Sequence, residues 1–185
     1  RHTVRLVAFS TEEPPFTRTR KMGSLLHARL CRKEKRRVVA MMSLETLGRA
    51  GTRGLFGRPR ALLVVGNLRS RALVRGLQLS HGRTRAVVAP GFLPGVKSSD
   101  HWSFWKQRYP AVMVTDGGPL RYRHYHRASD TPDRLDEAAL ARTEAAIFEM
   151  AERLCGTRLL PAPLLTNDAP LGTRVRGFAE VHAQQ

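Results

Sequence analysis

The chain has 185 residues, 42% of them hydrophobic, and 32 Lys and Arg against 15 Asp and Glu give a formal net charge of +17. This length suits one domain with one core, and no apolar run approaches the roughly 18 residues that a membrane-spanning helix needs. The positive charge would suit nucleic acid, but the basic residues are scattered and lack interleaved stacking aromatics. We expect no membrane span and no nucleic-acid partner; a basic nucleic-acid-binding module without catalysis remains an alternative.

The cysteines and the first residues say little about the compartment. No C-x-x-C pair occurs, which argues against a zinc site made of thiolates, and a disulfide between Cys31 and Cys155 stays open. The chain starts at Arg1 and runs directly into a strand-like segment. We therefore expect it to begin within a domain, so that a missing signal peptide is uninformative about localisation.

Four short, mostly apolar and β-branched runs predict strands that are buried on both faces of a mostly parallel sheet. They span residues 4–9, 38–44, 61–65 and 111–115. Residues 49–60, rich in Gly and Arg, predict a loop.

Apolar residues with the spacing of a helix face follow the first and the last of these runs. The apolar positions that share a helix face are Met22, Leu25, Leu26 and Leu30 in the first helix, and Leu140, Thr143, Ile147, Met150 and Leu154 in the last, before Gly156. Strands that alternate with helices predict a three-layer α/β/α fold. We expect one domain over residues 1–156 and an irregular tail over residues 157–185.

Acidic residues and histidines follow the predicted strands. Glu12 and Glu13 come directly after the first strand, Glu45 ends the second, and His124 and His126 follow the fourth. In open α/β sheets, functional groups gather at the carboxyl ends of the strands. Adjacent carboxylates repel each other unless a cation lies between them, and carboxylate and imidazole are zinc ligands. The pattern therefore predicts a zinc site, with one glutamate of the pair on the metal and the other acting on a metal-bound water.

The order of these motifs resembles the co-catalytic zinc exopeptidases. The resemblance is carried by the Glu-Glu pair after a strand, Gly23 and Ser24 opening a helix, an acidic residue ending the next strand, SDHWSF at 99–104 and YHRASDTPDRLD at 125–136. It extends from about Val4 to about Glu152. The family includes aminopeptidases, glutamate carboxypeptidases and, with a single zinc, glutaminyl cyclases.

The resemblance implies a role for each candidate residue. Glu12 corresponds to the general base, Glu13 and His126 bind one zinc, and Glu45 binds the second, where the family most often has Asp. His126 is preferred to His124 because it alone immediately precedes the x-x-x-DT pattern.

Asp100, in the SDH piece, is expected beside the ligands without binding metal itself. A helix N-cap is its alternative role. The nearby aromatic residues Trp102, Phe104 and Trp105 either line a substrate pocket or, more often for such spacing, belong to the core.

The implied activity is zinc-dependent hydrolysis of peptide bonds near a chain terminus, with Glu12 activating the metal-bound water. A glutaminyl-cyclase-like acyl transferase on the same fold is the alternative. The family also takes a His-x-Asp pair and a bridging Asp from upstream of the Glu-Glu strand, and neither occurs in residues 1–185. We therefore expect this chain to be the C-terminal part of a catalytic domain that binds two zinc ions when complete and to be inactive alone.

Overall fold

A four-stranded sheet with helices on both faces is the centre of the structure. This computed structural model describes residues 3–48, 62–77, 84–89, 97, 99–116, 122–156 and 181–183. The strands are β1 (Leu6–Ala8), β2 (Met41–Glu45), β3 (Leu62–Gly66), β4 (Thr84–Val88), β5 (Ala111–Thr115) and β6 (Val181–Ala183). The helices are α1 (Gly23–Lys33), α2 (Arg71–Gly76), α3 (His101–Lys106) and α4 (Glu137–Cys155), with short 3-10 turns at Leu68–Ser70 and Pro132–Arg134.

The sheet order is β2–β5–β3–β4, and most of its strand pairs are parallel. β2 runs parallel to β5 with Glu45 opposite Thr115, so the carboxyl ends of these two strands lie at the same edge. β3 runs parallel to β4 but antiparallel to β5, with Leu63 opposite Thr115. The segments that follow β2 and β5, which include candidate site residues, therefore start side by side at this edge of the sheet.

Alternate side chains of β3 enter different hydrophobic clusters. Leu62 and Val64 pack with Val74 of α2 and Met150 of α4. Val65 packs on the opposite face, where Trp105 of α3 covers the sheet. Because successive side chains of a strand point to opposite faces, helices cover both sides of the sheet, and the predicted α/β/α layering is confirmed.

The predicted strands are found, with shifted bounds in three cases. The fourth run forms β5 as predicted, whereas β2 begins at Met41, three residues after the predicted start. β1 is shorter than predicted and pairs with β6 instead of joining the four-stranded sheet. The sequence analysis missed β4, because its sequence TRAVV carries an arginine that interrupts the apolar run.

The last predicted helix is confirmed, and the predicted face of the first is partly wrong. α4 begins after Asp136, whose side chain accepts a hydrogen bond from the Ala139 amide at 2.8 Å, and ends at Gly156 with φ 61°, as helix caps do. In α1, Ala28 and Cys31 are buried against Phe104 and Tyr109. The face of α1 that packs against α3 therefore differs from the predicted face, and Leu26 and Leu30 are exposed.

Several other expectations can be compared with the structure. Cys31 and Cys155 are buried thiols that form no disulfide bond. Within the predicted tail, residues 181–183 form β6; the division of the chain at residue 156 stays a prediction. The predicted loop at 49–60 lies outside the described residues. None of the helices in the described ranges is long and apolar enough to cross a membrane.

Gly66 allows α2 to pack closely on the sheet. A Cβ atom at this position would lie 2.3 Å from Cγ2 of the buried Val74. Gly66→Ala should therefore lower the free energy of unfolding by about 1–3 kcal/mol, measured by chemical denaturation. Gly76→Ala is the matched control, because a Cβ there meets no atom within 4 Å. An equal loss in both variants would contradict the packing argument.

Candidate active site

The loop after β1 presents Glu12 and Glu13, and its two ends are hydrogen-bonded together. The Gly23 amide donates to the Ser10 carbonyl at 3.1 Å and to Thr11 Oγ1 at 3.2 Å, and Thr11 Oγ1 donates to the Lys21 carbonyl at 2.8 Å. A Cβ at residue 23 would lie 2.8 Å from the Ser10 carbonyl oxygen. The glycine of the Gly-Ser motif therefore closes the base of the loop that carries the glutamate pair.

Glu13 and His126 are in direct contact. Nε2 of His126 lies 2.9 Å from Oε1 of Glu13, and the two side chains are 54% and 60% exposed. His126 also has a φ of 56°, a backbone conformation that is uncommon for a residue other than glycine. An exposed pair of this kind adds little to stability, so the contact itself has little effect on folding.

Hydrogen bonds hold the segment that carries His126. The buried Tyr122 donates from its hydroxyl to Asp130 Oδ1 at 2.8 Å. Nδ1 of His124 lies 2.8 Å from the Ser129 hydroxyl. His124 therefore contacts a residue of its own loop, whereas His126 is the histidine that contacts Glu13.

Glu45, at the end of β2, lies in a group of serine hydroxyls. Ser99 donates a short hydrogen bond to Glu45 Oε1, and Ser43 Oγ lies 3.3 Å from the same oxygen. The two hydroxyls are 2.6 Å apart, and both serines are buried. The sequence analysis did not identify Ser43 or Ser99; the signal was a small polar residue within the otherwise apolar MMSLE strand and the serine of the SDH piece.

Asp100 occupies the N-cap position of α3, but its side chain makes no capping hydrogen bond. Burial raises the pKa of its carboxylate by more than the interaction with Ser24 lowers it. Oδ1 is buried and has no hydrogen-bond partner among the described residues. A capping hydrogen bond, which was one of the two roles predicted for Asp100, is therefore not observed. Phe104 and Trp105 pack in the core clusters, as the more frequent of their two interpretations expects.

Glu12 lies near the other candidate acids. Burial and then the negative charges of Glu45, Glu13 and Asp100 raise the pKa of Glu12 to about 7. Burial raises the pKa of Glu45 as well. Like charges disfavour ionisation of a carboxyl group, so this assembly of acids is held together against electrostatic repulsion.

Tyr125 is a further residue that the sequence analysis did not single out. Its ring stacks on that of His126 with centroids 4.0 Å apart. Burial, followed by the charges of Glu13, Glu45 and Glu12, raises the pKa of its hydroxyl. The phenol therefore remains a hydrogen-bond donor at neutral pH, beside the glutamates.

The donor set at this edge fits a divalent cation. Carboxylate oxygen and imidazole nitrogen are the donors that zinc accepts, and a cation would offset the repulsion that acts on Glu12. Glu13 and His126 form a contacting pair, and Glu45 does not join them. Within the described residues, no three His, Cys, Asp or Glu side chains converge closely enough to hold a metal ion. The contacting donors at this edge are therefore one carboxylate and one imidazole.

Two aminopeptidases share the fold of this chain. The aminopeptidase from Aneurinibacillus sp. strain AM-1 aligns with a TM-score of 0.50 and 21% identity, over 71% of this chain and 30% of its own. The LapA aminopeptidase of Legionella pneumophila aligns with a TM-score of 0.51 and 17% identity, over 71% of this chain and 35% of its own. At these identities the likeness concerns the α/β fold alone.

The sequence itself matches a family model. Residues 1–151 match the model described as peptidase family M28, and the chain belongs to that family. The uncharacterized protein YfbL of Escherichia coli (strain K12) is 34% identical over 169 residues, covering 80% of this chain and 50% of YfbL. The chain thus spans half the length of this relative.

The raised pKa of Glu12 predicts a pH dependence of stability in protein freed of metal by a chelator. The folded state holds the proton of Glu12 up to about pH 7, against 4.5 for an ordinary glutamate. This contribution is complete below pH 4.5 and is lost as the pH rises to about 7 and above. Glu12→Gln should therefore recover on the order of 1 kcal/mol at pH 8, allowing for solvent screening of a half-exposed group, and little at pH 4.5. Urea denaturation at both pH values measures this; equal effects would contradict it.

Proposed function

We propose that this protein is a zinc-dependent exopeptidase of the aminopeptidase type, which hydrolyses peptide bonds near a chain terminus. The observation that carries the proposal is the contact between Glu13 and His126, which joins two motifs 113 positions apart in the chain. Glu12 precedes Glu13 in the chain, and burial together with the charges of Glu45, Glu13 and Asp100 raises its pKa to about 7. Membership of peptidase family M28 supports the same reaction class.

The proposal gives separate roles to the acidic residues. Glu13 and His126 would hold one zinc ion, and Glu45 would hold the second. When bound, zinc would supply a Lewis acid that polarises the scissile carbonyl and promotes deprotonation of water. Asp100 would lie beside this ligand set without binding metal itself.

Glu12 would move the protons of the reaction. It takes a proton from the attacking water, and it later gives that proton to the nitrogen of the leaving amine, so that its own charge is restored. Partial burial favours this role, because it limits competition from solvent and brings the proton affinity of the carboxylate close to that of a neutral-pH base. The substrate partner is a peptide with a free terminus.

The division of labour between Glu12 and Glu13 can be separated by substitution in the full-length protein. Glu12→Gln should retain bound zinc while hydrolysis of aminoacyl-nitroanilides falls by about 10² or more, because only proton transfer is lost. Glu13→Gln should lose zinc. Elemental analysis and the activity assay on both variants measure this. Loss of zinc from Glu12→Gln and its retention in Glu13→Gln would show that the two roles are reversed.

The two nearby histidines offer a matched pair. His126→Ala should lose zinc and activity together, because an imidazole ligand is removed. His124→Ala should keep its zinc, since His124 contacts Ser129 within its own loop. Zinc per protein after dialysis decides the outcome. A variant at 124 that loses as much zinc as the variant at 126 would overturn the assignment.

A further inference from the structure

Ser43, Ser99 and Glu45 form three close polar contacts with one another, and only two serine hydroxyls are available to donate hydrogen bonds to them. Each serine hydroxyl carries a single proton. When the Glu45 carboxylate is ionised it can only accept, so the proton of Ser99 goes to Glu45 Oε1. The proton of Ser43 has two acceptors within reach, Ser99 Oγ at 2.6 Å and Glu45 Oε1 at 3.3 Å, and the shorter contact takes it. The distances therefore favour hydrogen bonds that run from Ser43 to Ser99 to Glu45.

Every hydrogen-bonding position of the Ser99 hydroxyl is occupied in this arrangement. It donates to Glu45, and it accepts from Ser43 and from the Asp100 amide, whose nitrogen lies 2.6 Å from Ser99 Oγ. A hydroxyl offers one donor and two acceptor positions, so none is left. Ser99 is 1% exposed and Ser43 is 5% exposed, and such buried hydroxyls are costly to leave without partners. The two serines therefore hold one orientation of the carboxylate.

The two oxygens of Glu45 are consequently unequal. Oε1 receives Ser99 and lies 3.3 Å from Ser43. Oε2 has no hydrogen-bond partner among the described residues. Glutamate also has one more rotatable bond than aspartate, and so it has more freedom to lose when it binds an ion.

We propose that Ser43 and Ser99 are positioning residues, which form a directed hydrogen-bond chain that fixes Glu45 Oε1 and leaves Oε2 as the single oxygen for a cation. This inference rests on the proposed function, because it takes Glu45 as a metal ligand. It adds that Glu45 binds through one oxygen and that its longer side chain is held in place by these serines.

Metal binding is the first measurement, made on the full-length protein with zinc by calorimetry and with cobalt by absorption spectroscopy. The relevant binding step is the one lost in Glu45→Ala. Ser99→Ala should weaken that step by about 10–100-fold, as the loss of a partner behind a ligand does elsewhere, and should change the cobalt spectrum. Ser43→Ala should have a smaller effect in the same direction. Ser43→Thr should restore affinity, because it keeps the hydroxyl and suits a strand.

Ser70→Ala is the matched control for loss of a buried serine hydroxyl. Ser70 is 1% exposed and accepts a hydrogen bond from the Ala111 amide at the start of β5. Glu45 lies opposite Thr115 at the other end of β5, about 13 Å away along the strand. Ser70→Ala should therefore lower the melting temperature without changing the affinity for metal.

A second measurement tests the chain without any metal. In chelator-treated protein, Ser99→Ala should lower the melting temperature by about 5 °C when Glu45 is present. In a Glu45→Leu background, which lacks the acceptor, the same substitution should cost much less. The effect of Ser70→Ala should be the same in both backgrounds, since distant sites act additively.

These results separate the possible failures. Coupling between Ser99 and Glu45 in metal-free protein, with selective loss of metal affinity, supports the proposal. Coupling without any loss of affinity in Ser99→Ala, or no coupling at all, overturns it and leaves the proposed function standing. Wild-type protein that binds no divalent cation overturns the proposed function, and with it the ligand role of Glu45, whatever the coupling shows.

Discussion

Partial burial of several neighbouring carboxyl groups is the constraint on which the candidate site depends. Although the chain has an excess of 17 positive charges, the charges that act most on Glu12 are those of Glu45, Glu13 and Asp100. Folding brings these groups together from three separate segments, at a cost in electrostatic energy. Strongly perturbed carboxyl pKa values are more frequent at functional sites than elsewhere in proteins.

Among the described residues, backbone and hydroxyl contacts connect the segments that carry these acids. Gly23 closes the glutamate loop, and the hydroxyl of the next residue, Ser24, lies 2.7 Å from that of Ser103 in α3, the helix that follows Asp100. One dipeptide at the start of α1 therefore holds two parts of the site. On the other side, Ser99 supports Glu45 while its neighbour Asp100 begins α3. Packing of α1 against α3 thus fixes the site as well as the core.

The sequence was informative where a pattern is local, and uninformative where tertiary packing decides. The run at 111–115 and the caps of α4 were predictable, because apolar continuity, Asp136 and Gly156 act over a few residues. The buried flank of α1 was not, since Leu26 and Ala28 are both compatible with a helix and only α3 selects between them. Ser43 and Ser99 gain their meaning from a contact across 56 positions, which no spacing rule reveals. The roles of the acids came from resemblance to known enzymes.

The antiparallel contact between β3 and β5 has a consequence for how this site can diverge. Glu45 and the beginning of β3 both lie level with Thr115, so the described ends of the connection from β2 to β3 both lie at the edge of the sheet that carries the candidate site. A connection of this kind can lengthen or shorten at small entropic cost, without moving any strand. The candidate acids Glu12 and Glu13 lie in the loop after β1 and Glu45 lies on β2. A change in the length of this connection therefore need not alter their positions.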